Sequence, residues 1–165
     1  AIIKRMELFG LELSKEKTRI LPFGRNCGTR ETFDFLGFTH FNSKTRKGYY
    51  SVGHKISRKK KKQFKSNLKK WVKENRTTQI DEFMKTLNKK LTGSFNYYSL
   101  SGMIKEVKNL WHHSLLLTFK WMNRRSQRRS FKLERFCEIW KDRIIHPYIH
   151  VDIWSGDKVI YIKNV

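Results

Sequence analysis

At Ser57 the apolar residues of this chain change their period. Downstream, Phe64, Leu68, Trp71 and Val72 recur at three- and four-residue spacing, the mark of a helix with one buried stripe. Ser57 is a good N-cap residue, so the spacing predicts a helix over about 58–75. Ile80, Phe83, Met84, Leu87 and Leu91 set a second helix, reaching Gly93 and continuing through FNYYSL. A third runs over about 102–127, capped by Ser101, with Ile104, Val107, Leu110, Trp111, Leu115, Phe119 and Met122 on a wide apolar face. Ser130 caps a fourth, with Leu133, Phe136, Cys137 and Trp140 inward, and the tail from Tyr148 alternates like a terminal strand or hairpin.

Upstream of Ser57 the pattern is different. Ile2, Ile3, Met6 and Phe9 form a short helical stripe closed by Gly10. A strand-like LEL and a loop over Phe23–Arg30 follow. ETFDFLGFTHF predicts a strand over about 32–42, KTRKG a turn, and YYSVGHKI a returning strand. Gly37 falls inside the first strand, where glycine marks a bulge or a close backbone approach. The fold class is therefore α+β: a small β-hairpin region over residues 1–56, then a mainly α-helical bundle over 57–165. The chain begins within its first helix and has no initiator Met, which reads as a piece of something longer.

Charge narrows the function. The 165 residues carry 37 Lys and Arg against 14 Asp and Glu, a formal net charge of +23. Self-repulsion on that scale is normally tolerated where a polyanion neutralises it. No run approaches the roughly 18 apolar residues of a membrane span, so nucleic acid is preferred over a membrane. Cys27 and Cys137 lie far apart, with no CxxC or zinc-ligand spacing, and read as two reduced thiols.

The cations are clustered. RKKKKQFKSNLKK contributes Arg58, Lys59, Lys60, Lys61, Lys62, Lys65 and Lys69, and no acidic residue lies between Phe35 and Lys73. Positive charge in a first helical turn opposes the macrodipole, so phosphate contact explains the run better than a merely solvated face. KWMNRRSQRRSFK contributes Lys120, Arg124, Arg125, Arg128 and Arg129, with Arg124 and Arg128, and Arg125 and Arg129, one helical turn apart. Two readings stand there: cations capping a helix C-terminus, or guanidinium forks beside Trp121 and Phe131 that suit RNA phosphates and bases. Asn96, Tyr97 and Tyr98 at a helix end are packing residues or base-stacking platforms. His112-His113 reads as a structural pair. No paired carboxylates, phosphate-binding glycine loop, nucleophile–base set or metal set is apparent, and Lys17 in SKEKT means little by itself.

Taken in order, GLELSKEKT, FDFLGF, the basic helix, GSFNYYSLSG and KWMNRRSQRRS resemble group II intron-encoded reverse transcriptases, or maturases, downstream of their catalytic aspartates. The resemblance implies that residues 1–30 are the end of a polymerase palm. It makes Phe35, Leu36, Gly37 and Phe38 the primer grip. The helices become the thumb, or X, domain, with Asn96, Tyr97 and Tyr98 as a maturase motif. It also gives Lys17 the place of a lysine thought to protonate the leaving pyrophosphate. The implied partners are group II intron RNA, an RNA template with its DNA primer, and the fingers and palm of the parent enzyme, in the cytoplasm of a bacterium or in an organelle; no membrane is implied.

The chain departs from the family in three places. The YADD-type motif is absent, so the residues here lack the carboxylates that hold two Mg²⁺ ions in the parent palm, and the segment is expected to be inactive alone. GSF stands where relatives carry GWx or GYx, with Phe95 one position later. Neither an HNH endonuclease nor a separate DNA-binding segment is visible among the C-terminal residues of this sequence. Two further readings remain open: a free-standing basic RNA-binding or RNA-folding module without a polymerase role, and a helical DNA-binding domain.

Overall fold

The computed structural model describes residues 2–14, 16, 18, 20–125 and 132–149. Its elements are α1 (Ile2–Glu7), β1 (Thr32–Phe35), β2 (Phe38–Lys44), β3 (Tyr50–Ile56), α2 (Arg58–Glu74), α3 (Ile80–Tyr98), α4 (Ile104–Met122) and α5 (Leu133–Trp140), with a 3-10 turn over Lys141–Arg143. The three strands pair in the order β1-β2-β3, and their short connections make the sheet antiparallel. The α+β expectation holds. The chain divides into two compact units, residues 1–33 with 41–52, and residues 34–40 with everything from Gly53 onward.

The first unit is small and polar in its bonding. The Asn42 side chain donates to the Thr29 carbonyl at 3.1 Å and accepts from the Tyr50 hydroxyl at 2.9 Å. Phe23 meets Phe33 edge-on at 5.0 Å. Thr45–Gly48 closes the β2–β3 turn, with Gly48 at φ 82°. Helix α1 buries none of its residues, and Ile2, Ile3 and Phe9 are exposed. The LEL segment is not a strand, since no neighbouring edge pairs with it.

The second unit holds the apolar core. Leu68 and Val72 of α2, Phe83, Leu87, Leu91 and Phe95 of α3, and Val107, Trp111 and Leu115 of α4 are buried together with Phe136 of α5. These are the stripe positions of the periodic pattern, and burying them is what holds isolated amphipathic helices together. Phe64 and Trp71 lie half-buried at the edge of the core. Ser114 and Thr118 on α4 are also buried, and each hydroxyl bonds the carbonyl four residues back, at 2.8 Å.

Several local expectations change. The strand over 32–42 is broken: Leu36 at φ 48° and Gly37 at φ 83° form a two-residue turn, so FDFLGF is a hairpin tip rather than a strand with a notch. Positive φ at both central positions is the primed-turn geometry that matches the twist of paired strands. Met103, not Ser101, precedes α4, with no side-chain cap bond. Helix α4 ends at Met122, so Arg124 and Arg125 lie in the turn beyond it, and their expected helical partners Arg128 and Arg129 lie outside the described residues. Lys132, not Ser130, precedes α5, and Leu133 is 40% exposed rather than inward, since it stands at the opening position of the helix with no earlier turn to cover it. Lys17, Arg128, Arg129, Ser130 and the alternating tail from residue 150 lie outside the described residues.

Candidate nucleic-acid interface

Helix α2 begins where the hairpin tip ends. The Ser57 hydroxyl accepts from the Lys60 amide, capping the helix as its sequence predicts. The Ser57 amide in turn donates to the Gly37 carbonyl at 2.9 Å. One buried serine thus fixes both the first turn of the basic helix and the tip of the β1–β2 hairpin. From this start Arg58, Lys59, Lys60, Lys62, Lys65 and Lys69 are exposed along α2. Lys61 is different. Its ammonium meets the Glu106 carboxylate of α4 at 2.5 Å, both side chains partly covered. The acid-free stretch of sequence around Lys61 does acquire an acidic neighbour, from 45 residues away.

The C-terminal end of α3 closes on the hairpin tip. The Tyr97 ring stacks on Phe38 with centroids 5.6 Å apart, and Tyr98 meets Phe38 edge-on at 5.5 Å. The Tyr97 hydroxyl donates to the Leu36 carbonyl at 2.5 Å. Burial, then the neighbouring Tyr97, raises the Tyr98 hydroxyl above its ordinary pKa. A Cβ on Gly37 would lie 3.4 Å from Cγ of Lys60 and 3.5 Å from the Tyr98 hydroxyl, which is ordinary contact. Positive φ, rather than a crowded approach, is therefore what requires glycine there. Phe35 and Leu36 remain 59% and 67% exposed at the apex, so the residues expected to form a grip present an apolar tip held from behind by Tyr97 and Tyr98. Asn96 points elsewhere, accepting from the Tyr148 hydroxyl. Phe95 is fully buried and meets the Tyr148 ring edge-on at 6.0 Å.

The second basic cluster is partly engaged. Lys120 is exposed in the last turn of α4. The Arg124 guanidinium lies over the Trp121 ring at 5.2 Å, and Arg76 approaches the same ring at 5.7 Å, both within cation–π range. Arg125 donates to the Thr78 carbonyl. These arginines tie the α2–α3 connection to the end of α4 while keeping their charge near the surface. Sequence reasoning passed over Arg76, and also Lys90, which sits over Trp71 at 5.3 Å. Neither pairing has a local sequence signal.

The exposed basic leading helix, the docked hairpin and the α3–α4 core together define a basic helical domain with an apolar hairpin tip. Residues 61–137, a little under half of the chain, match the family described as group II intron, maturase-specific domain. The matched segment runs from the first turn of α2 into α5, and it is similar to that domain. No curated protein and no solved structure gives a match. No helix among the described residues is long and apolar enough to cross a membrane.

Proposed function

We propose that this chain is the RNA-binding thumb and maturase region of a group II intron reverse transcriptase, holding template–primer and binding intron RNA. The observation that carries the reading is the exposed cationic face of α2 at the start of the maturase-specific segment, joined through Ser57 and Gly37 to an apolar hairpin tip. The α2 cations offer charge-assisted bonds to phosphate oxygens. Phe35 and Leu36, backed by Tyr97, present apolar surface to the sugar and base of a primer end. Residues 1–30 are then the end of the palm, and the polymerase reaction takes place in the fingers and palm of the parent enzyme.

Polymerase chemistry in the parent uses two Mg²⁺ ions held by carboxylates. Among the described residues no three His, Cys, Asp or Glu side chains converge as a metal-binding set.

Competition between structured group II intron RNA and duplex DNA at fixed ionic strength tests the reading. Preference for the intron RNA is the expected outcome; preference for duplex DNA would instead favour a helical DNA-binding domain.

A further inference from the structure

Between α2 and α4 lies a groove of about 350 Å³ lined by Lys61, Lys65, Glu106, Asn109, His112 and His113, with two leucines as its apolar lining. Lys61 and Lys65 are one turn apart on α2 and so share a face. Opposite them α4 supplies an amide and two imidazoles. The set is rich in donors, and its one carboxylate is already bound to Lys61.

We infer that this groove is the seat of one phosphodiester group of a bound polynucleotide, with the Glu106 carboxylate competing against that phosphate for Lys61. Such a seat presupposes the RNA-binding role proposed above and gives it a location and a control. The geometry favours a phosphate over a cation: Lys65 is exposed and without an acidic partner in the groove, and Asn109 and the histidines can donate alongside it. The Lys61–Glu106 pair sits at the same lining, so an entering anion meets the like charge of Glu106 and competes with it for the Lys61 ammonium.

The groove also has a proton-linked signature. His113 is held below its ordinary pKa, first by burial, then by the charges of Lys65 and His112. The charged and titratable groups facing it are Lys61 and Lys65 from α2, and Glu106 and His112 from α4. A phosphate entering among them supplies negative charge, favours the imidazolium and draws a proton onto His113. Binding therefore takes up a proton and strengthens as pH falls.

The test measures binding of a fluorescent RNA stem–loop by wild type, Glu106→Gln, Lys65→Gln and His113→Gln, over a salt series and between about pH 7.5 and about pH 5.5. Glu106→Gln is expected to tighten binding and steepen the log–log salt slope by roughly one unit, and Lys65→Gln to make it shallower by roughly one. His113→Gln should flatten the pH dependence. Thermal midpoints identify any variant that fails to fold, and exposed Lys65 keeps the test decisive if a His113 variant does. RNA bound by wild type with slope and pH profile unchanged in all variants would overturn the seat and leave the RNA-binding role standing. No RNA binding by wild type would overturn the role itself. Inorganic phosphate titrated alone, if it bound with dependence on Glu106 and Lys65 while RNA affinity ignored both, would overturn the polynucleotide assignment.

Discussion

The Tyr97 hydroxyl donates to the Leu36 carbonyl across 61 residues of sequence, at 2.5 Å, while its ring stacks on Phe38. This single side chain binds the C-terminal turn of α3 to the apex of the β1–β2 hairpin. The polar tip and the apolar ring of tyrosine do separate work there, and the two are separable by mutation. Tyr97→Phe should cost about 0.5–1.5 kcal/mol in urea unfolding through the lost hydrogen bond. Tyr97→Ala should cost more, and a cycle with Phe38→Ala should show coupling of about 0.5–1.5 kcal/mol.

Gly37 makes a different prediction. Its φ of 83° lies in the left-handed region, while the space around its missing Cβ is open to ordinary contact. Replacement should therefore follow backbone preference rather than size. Gly37→Ala should lose about 1–2 kcal/mol, Gly37→Asn less, since asparagine tolerates this conformation, and Gly37→Val more. If Asn and Ala were equally costly in thermal unfolding, steric approach would be the cause instead.

The core and its edge are distinguished by two residues. Leu87 is fully buried, whereas Leu133 is 40% exposed. Leu87→Ala should destabilise by about 2–5 kcal/mol. Leu133→Ala should stay within about 0.5 kcal/mol of wild type.

That contrast shows what periodicity could and could not reveal. The stripes of α2, α3 and α4 were legible because one continuous apolar face must be buried, and the spacing shows which residues share it. Leu133 was misassigned because it opens a short helix, where too few turns exist to fix which face is inward. The turn at Leu36–Gly37 was hidden by its chemistry: flanked by phenylalanines, Leu-Gly lacks the Asn-Gly or Asp-Gly signature of a primed turn. The Lys61–Glu106 pair and the Arg125 bond to Thr78 depend on helix packing, and no local pattern reports them. The exposure of Arg58, Lys59, Lys60, Lys62, Lys65 and Lys69 was legible, since charge of one sign on a helix that must also bury a stripe is left to the surface, while Lys61 is partly covered by its pairing with Glu106.

Acid should weaken the fold. Nδ1 of His54 lies 2.9 Å from Nδ1 of His40 across β2 and β3, where one neutral ring donates to the other and two imidazolium rings would repel. Burial, then His40, lowers the His54 pKa, and His113 is lowered as well. With folded values below the unfolded value near about 6.5, the unfolded chain binds more protons as pH falls. These histidines thus contribute stability that is present above about pH 6.5 and is lost as pH falls through the folded values. Thermal midpoints measured from about pH 7.5 to about pH 5 should fall with acid, and His54→Gln should reduce that slope.

The exposed α2 cations bear most directly on the central claim, because each phosphate they neutralise releases counterions. Binding of structured intron RNA measured from 50 to 200 mM salt should weaken roughly 10³–10⁵-fold if about 6–10 phosphates are engaged. Joint neutralisation of Arg58, Lys59, Lys62, Lys65 and Lys69 should make that dependence shallower while the thermal midpoint changes little. An RNA affinity that barely responds to salt, or a variant that unfolds while its folded fraction binds RNA as tightly as wild type, would contradict the account.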